Sequence, residues 1–180
     1  MTFQNTLLTL EKHFGIWLLT FLLSTCSLLG ALYYQYYLDW EPCVLCIQIR
    51  VIMAGIMLVS GLMLFLARFP LLRLIGFTGQ ALLAIYLFIK SRALYRIETG
   101  LDQAECMFSA GLPEWLNLEA WWPSVFEVRS ACGDSPELLM GITMVEALYY
   151  ASAIAMVFAN LLVALSLYAF TRKNTQSSSL

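Results

Sequence analysis

The sequence predicts an all-α membrane protein, a bundle of four transmembrane helices with one long loop outside the membrane. Of its 180 residues, 61% are hydrophobic and 12% are charged, whereas soluble domains average about 45–50% and about 25%. Four apolar stretches approach the roughly 20 residues that a helix needs to cross a bilayer. Backbone groups within a bilayer must be satisfied internally, which favours helices. We therefore expect a single membrane domain, 1–180.

The positions of the charged residues define the four spans. The uninterrupted apolar stretches are Phe14–Leu38, Val51–Ala67, Leu74–Ile89 and Ala147–Thr171. The second and third reach full length only with flanking residues, so we place the spans at 15–37, 45–67, 71–90 and 143–169. The first stretch exceeds the apolar core of a cleaved signal peptide, and we expect it to be retained. The outer loops are then 38–44 and 91–142.

Basic residues indicate the orientation of these spans. One side of the membrane receives Lys12, Arg68, Arg73, Arg172 and Lys173, and the other receives Lys90, Arg92, Arg96 and Arg129. The short outer loop carries no Lys or Arg, and the long one is rich in acids. The distribution of Lys and Arg favours cytoplasmic termini and outer loops at 38–44 and 91–142.

A short helix is predicted on the membrane surface within the long loop. Pro113–Trp122 begins with proline and an acid, as helices often do, and contains three tryptophans. Tryptophan favours the headgroup zone, so we expect an interfacial helix here. The alternative is that these side chains contact a partner or a lipophilic cofactor.

Composition excludes several classes of function. A formal net charge of −2 without a basic block argues against nucleic-acid binding. His13 is the one histidine of the chain, so haem ligation and histidine-rich metal centres are not expected.

The cysteines point to redox chemistry. Four of the five fall on the outer side: Cys43, Cys46, Cys106 and Cys132. Outer thiols in an oxidising compartment form disulfides, so two pairs suggest two disulfides. The Cys43–Cys46 ring is too small to constrain much chain, and its position at a helix start stabilises a thiolate. Zinc is the alternative, but the spacing resembles no compact zinc module. The fifth, Cys26, is expected to be a buried apolar thiol rather than a lipidation site.

Arg50 is the second candidate site residue. On a helix it lies one turn beyond Cys46 and on the same face. An arginine in a span is costly, so it either extends outward to a lipid headgroup or stabilises a thiolate or an anion on a bound acceptor. The chain has no haem ligands, flavin motif or nucleotide fold. A reduced CxxC must nevertheless pass two electrons onward, and we expect a lipid-soluble quinone, bound by Cys46 and Arg50.

Five segments resemble the DsbB family of bacterial inner-membrane quinone reductases. They are Glu41–Arg50, Glu105–Phe108, Leu112–Leu116 and Trp122–Phe126 with the later Cys132–Gly133. The resemblance implies that the enzyme reoxidises a periplasmic DsbA-like thiol oxidase. It implies that Cys106 receives the attack of this partner, that Cys132 pairs with Cys106 and exchanges with Cys43, and that Cys46 contacts ubiquinone or menaquinone.

One departure from the family pattern lies between the CxxC and its arginine. Family members often have Tyr-Glu where this chain has Gln48 and Ile49. Membership of the DsbI branch therefore stays open. Two other hypotheses are a vitamin-K-epoxide-reductase-like enzyme, in which the CxxC usually lies on a late span, and a non-enzymatic bundle with structural disulfides, which would not need Arg50.

Overall fold

The computed structural model describes residues 14–102, 111, 118–130, 132, 135–139 and 141–177. The helices are α1 (Phe14–Tyr37), α2 (Val44–Leu66), α3 (Pro70–Glu98), α4 (Leu118–Trp121), α5 (Pro123–Phe126) and α6 (Met144–Ser177). Two short strands, β1 (Glu137–Leu139) and β2 (Ile142–Thr143), pair antiparallel. Among these residues, four helices are long and apolar enough to cross a membrane: α1, α2, α3 and α6. The predicted four-helix membrane bundle is confirmed.

The order of the helices leaves a gap on one side of the bundle. Helix α1 packs on α2, α2 on α3, and α3 on α6. An apolar cavity of about 460 Å³ lies between these helices, lined by residues of all four. Large apolar side chains cover the outside, among them Leu58, Phe65 and Leu82. Such surfaces are stable in lipid, which is as apolar as they are.

Among the described residues, the two largest clusters of buried side chains lie at opposite ends of the bundle. The cysteine-end cluster contains Cys43, Ile49, Ile52, Ile56, Leu87, Leu94 and Val145. The far-end cluster contains Trp17, Met63, Phe77 and Leu162, with Trp17 stacked on Phe77 at a centroid distance of 4.8 Å. The first cluster surrounds the thiols, so packing at this end fixes the site.

Helix α3 continues past the end of the predicted span. The span was placed at 71–90 because Lys90 ends the apolar stretch, but the helix runs on to Glu98. Charged residues mark the edge of the hydrocarbon, whereas helices end at residues that break their geometry. No glycine or proline lies between Lys90 and Gly100, which has a φ of +72°.

The second half of the long loop contains a small hairpin that the sequence did not reveal. Strands β1 and β2 are joined at Gly141, whose φ of +81° favours glycine. Helix α6 then begins with a capping box, because Thr143 N–H donates to Glu146 Oε2 at 3.2 Å and Glu146 N–H donates to Thr143 Oγ1 at 3.2 Å. The hairpin therefore leads directly into the fourth membrane helix.

Only part of the predicted surface helix falls on described residues. Its first half lies outside them, and its second half forms α4, followed at once by α5. Trp121 and Trp122 are 63% and 65% exposed. These two indoles are available to a headgroup layer, as an interfacial helix requires.

Candidate active site

The CxxC motif opens α2. Cys43 is the N-cap residue, and its Sγ accepts a hydrogen bond from Cys46 N–H at 3.4 Å. The two Sγ atoms are 2.7 Å apart. Cys43 is buried, 5% exposed, and Cys46 is half-buried. The spacing of a CxxC across an N-cap thus brings two sulfurs together at the positive end of a helix.

Cys132 joins the same cluster from the long loop. It packs against Cys43 in the cysteine-end cluster. A hydrogen bond with Cys43, followed by the N–H groups of Leu45 and Val44, lowers the Cys132 pKa to about 6 against the opposing effect of burial. The bonds to Cys132 and Cys46, together with burial, raise the pKa of Cys43. Cys43 is therefore the central sulfur of three, and the negative charge favours Cys132.

The loop segment before Cys132 is docked on the start of α2. The backbone N–H groups of Arg129 and Ser130 donate to the Pro42 carbonyl at 3.1 and 3.4 Å. Ser130 Oγ donates to the Glu41 carbonyl at 2.6 Å. These bonds attach the loop directly beside the CxxC.

An apolar contact supports the same docking. Ile47 of α2 is fully buried and packs with Phe126 of α5. This contact joins α5 to the first turn of α2. The segment is thus held by both packing and hydrogen bonds.

Arg50 is enclosed by protein one turn below Cys46. It is 7% exposed. Its Nη1 donates to Gln35 Oε1 at 2.5 Å and to the Val125 carbonyl at 3.0 Å, and its Nη2 donates to the Ala31 carbonyl at 3.2 Å. Its Nε–H makes no hydrogen bond within the described part of the chain. This geometry does not match the alternative in which Arg50 extends outward to a lipid headgroup.

Gln35 orients Arg50, a contact that the sequence did not predict. Its Oε1 accepts from Arg50, while its Nε2 donates to the Ser124 carbonyl at 2.9 Å. Tyr36 Oη donates to the same carbonyl at 2.6 Å. The signal in the sequence was the position of Gln35, an amide near the end of an apolar span, because buried polar groups in membranes need partners.

The two residues that depart from the family pattern face different surroundings. Ile49 is 6% exposed and belongs to the cysteine-end cluster. Gln48 faces the long loop, because a Cβ at Gly111 would lie 3.5 Å from Gln48 Nε2. Where family members often have glutamate, Ile49 packs in the core. Where they often have tyrosine, Gln48 keeps a polar side chain that faces the long loop.

The remaining predicted residues lie elsewhere. Cys106 is outside the described residues, as is His13. Cys26 is exposed on α1, so the expectation of a buried thiol is wrong. In a membrane an apolar side chain is stable against lipid and does not need burial in protein. Among the described residues no group of three or more His, Cys, Asp and Glu is arranged to hold a metal ion.

Comparison with known proteins shows the family. The family model of the disulfide bond formation protein DsbB matches residues 13–162. This chain belongs to the DsbB family. It is 36% identical to the disulfide bond formation protein B of Shewanella frigidimarina over 127 residues, 69% of this chain and 75% of that protein. It is 31% identical to that of Haemophilus influenzae over 160 residues, 85% of this chain and 86% of that protein.

Membership of the DsbB family fixes the class of the enzyme. The chain is a multi-pass bacterial membrane protein and a disulfide oxidoreductase. The cluster of Cys43, Cys46 and Cys132 supplies sulfurs at exchange distance, which such an activity requires.

Proposed function

We propose that this DsbB-family protein is a thiol:quinone oxidoreductase of the bacterial inner membrane. It takes two electrons from a periplasmic DsbA-like thiol oxidase and passes them to ubiquinone or menaquinone, which supports disulfide formation. The observation that carries the proposal is the arrangement of the site: Cys43 lies between Cys132 and Cys46, and Arg50 follows one turn deeper.

The sulfurs provide a path for two electrons. With a disulfide between Cys43 and Cys46, the Cys132 thiolate attacks Cys43 Sγ. The bond between Cys132 and Cys43 forms, the bond between Cys43 and Cys46 breaks, and Cys46 leaves with the electron pair. Cys132 is released for this attack when the partner's thiolate opens a disulfide between Cys106 and Cys132.

Arg50 fits an acceptor that gains negative charge on oxygen. Three of its five N–H donors are bound to protein acceptors, which hold the guanidinium in place. The Nε–H has no partner among the described residues, so it can donate a hydrogen bond to a bound acceptor. A quinone, when bound, supplies a lipid-soluble two-electron acceptor whose oxygens suit this group.

The cavity between the helices supports an acceptor that arrives from lipid. Its lining is overwhelmingly apolar and includes Met53 and Leu148, which also pack against the cysteine-end cluster. An apolar space that borders the cysteine-end cluster suits a lipid-soluble molecule better than a water-soluble one.

The proposed orientation places the thiol cluster in the periplasm and both termini in the cytoplasm. A membrane-impermeant maleimide added to reduced spheroplasts should then label Cys132 in a variant that retains this cysteine alone. A variant retaining Cys26 alone should stay unlabelled because that thiol lies within a span. Labelling of Cys132 only after the cytoplasmic face is opened would invert the orientation.

The activity itself is tested with Cys46→Ser. A serine hydroxyl neither attacks nor leaves at neutral pH, so quinone reduction driven by a reduced thiol oxidase should fall to background. The matched control is Cys26→Ser, which changes a thiol outside the site and should leave turnover largely unchanged. Turnover of Cys46→Ser close to that of the control would contradict the proposed role.

A further inference from the structure

Glu98 is an acid in an unfavourable place. It is the last residue of α3, where the negative end of the helix dipole disfavours a carboxylate by about 0.3–1 kcal/mol. Within the described part of the chain the ion pairs are Arg96–Asp102 and Arg129–Glu127, so Glu98 has no cation beside it there.

Two hydroxyl groups satisfy Glu98 instead. Ser135 Oγ donates to Glu98 Oε1, and Thr143 Oγ1 donates to Glu98 Oε2 at 3.3 Å. Hydrogen bonds to an ionised carboxylate are about twice as strong as those between neutral groups. Thr143 is also part of the capping box of α6. One carboxylate therefore ties the end of α3 to the hairpin segment and to the start of α6.

The Ser135 end of this hydrogen-bonded connection lies just beyond Cys132 in the chain. Ser135 is three residues after Cys132, and Ser130, which is bonded to Glu41, is two residues before it. A residue spans at most about 3.6 Å. Because Ser130 and Ser135 are both held by hydrogen bonds, Cys132 lies within about 7 Å of Ser130 and within about 11 Å of Ser135. If the hydrogen bond at one end is lost, Cys132 lies on a segment that is attached at the other end alone.

We propose that Glu98 is a positioning residue that holds Cys132 beside Cys43 through its bonds to Ser135 and Thr143. The inference rests on the proposed function, because it concerns the exchange in which Cys132 bonds to Cys43 and Cys46 leaves with the electron pair. Holding two reacting groups together makes their exchange effectively unimolecular and raises their effective concentration.

The first test measures that effective concentration without quinone or a partner protein. In full-length protein with Cys26, Cys46 and Cys106 changed to serine, the disulfide between Cys43 and Cys132 is equilibrated against glutathione. Glu98→Ala should lower the effective concentration at least about tenfold, the effect of losing one hydrogen bond to a charged group. Glu98→Gln keeps an acceptor oxygen and should recover much of this loss. Asp102→Asn, an exposed acid at the same end, should change nothing.

The second test separates positioning from general damage. With the four outer cysteines intact, turnover driven by a reduced thiol oxidase should fall about tenfold in Glu98→Ala. Turnover driven by dithiothreitol in a Cys132→Ser background, where no exchange passes through Cys132, should change less than twofold. A double variant, Ser135→Ala with Thr143→Ala, should reproduce the pattern with Glu98 in place.

Two outcomes would overturn the proposal. An unchanged effective concentration in Glu98→Ala, with only a lower melting temperature, would make Glu98 a structural residue. Equal loss of turnover with both reductants would do the same. Failure of the proposed function is distinct, because it would abolish quinone-dependent turnover in the parent protein and leave the glutathione equilibrium as expected.

Discussion

Replacing Arg50 with methionine should separate quinone reduction from disulfide exchange. Methionine keeps much of the length of the side chain and removes its charge and all five N–H donors. Loss of one preorganised donor to a developing oxyanion costs about 2.7–4 kcal/mol. We therefore expect kcat/KM for quinone to fall about 10²–10³-fold.

Lysine at the same position should give an intermediate result. It keeps the charge but offers three donors on one atom instead of a planar fork. Arg50 binds Gln35 Oε1 and the carbonyls of Val125 and Ala31 in three directions. An ammonium group cannot satisfy these acceptors and a substrate oxygen together. We expect kcat/KM to fall about tenfold in Arg50→Lys.

Stability has to be measured beside activity. Arg50→Met leaves three acceptors without this donor, and each unpaired buried group costs about 1–3 kcal/mol. The assay is therefore quinone reduction per mole of folded enzyme, with exchange between the loop cysteines and a thiol oxidase measured separately. Exchange should change little. Arg92→Met, at an exposed arginine of α3, is the matched control. Normal kcat and KM for quinone in Arg50→Met would refute the reasoning.

Two further predictions concern ionisation and packing. In reduced protein, the rate of Cys132 alkylation should rise with pH with a midpoint near pH 6, where the pKa of this thiol lies. Cys43→Ala should move the midpoint upward, because the main hydrogen bond to Cys132 is lost. An unchanged midpoint would contradict this. Because the folded-state pKa is depressed, the Cys132 thiolate stabilises loop docking above its unfolded pKa of about 8.5, and this contribution is lost as the pH falls through about 6. Gly76→Ala should lower the melting temperature, because its Cβ would lie 2.6 Å from Met63 Sδ, an overpacking cost of about 1–3 kcal/mol. Gly79→Ala, with nothing within 4 Å, should instead stabilise by up to about 1 kcal/mol; equal effects would refute the packing argument.

The sequence predicted the features that depend on local chemistry. Hydrophobic stretches gave the four membrane helices, because the length needed to cross hydrocarbon is fixed by the bilayer. The shared face of Cys46 and Arg50 follows from helix geometry alone. The end of α3 at Glu98 was missed because charge marks the membrane edge and not the helix end.

Long-range partners could not be predicted in the same way. The bond between Gln35 and Arg50 joins two helices, and the bond between Glu98 and Thr143 joins α3 to α6. Both depend on how helices and loops pack, which no local spacing encodes. Cys26 was misjudged for a related reason, because a lipid-facing surface and a protein core have the same composition in a membrane protein.

The three sulfurs differ in their ability to carry a negative charge. In the reduced cluster the negative charge favours Cys132, whose pKa is lowered to about 6, first by its hydrogen bond with Cys43. The N–H groups of Leu45 and Val44 remain to stabilise a Cys132 thiolate when Cys43 is in a disulfide. Cys43, whose pKa is raised, is poor as an anion and better suited to be attacked. Cys46 lies in the first turn of α2, where the helix dipole stabilises a leaving thiolate, with the Arg50 charge one turn deeper. In the proposed exchange the Cys132 thiolate attacks Cys43 and displaces Cys46, which moves the electron pair from the long loop toward the membrane. The reverse step would form the Cys132 thiolate again, so onward transfer of the pair from Cys46 to the acceptor is what drives the exchange forward.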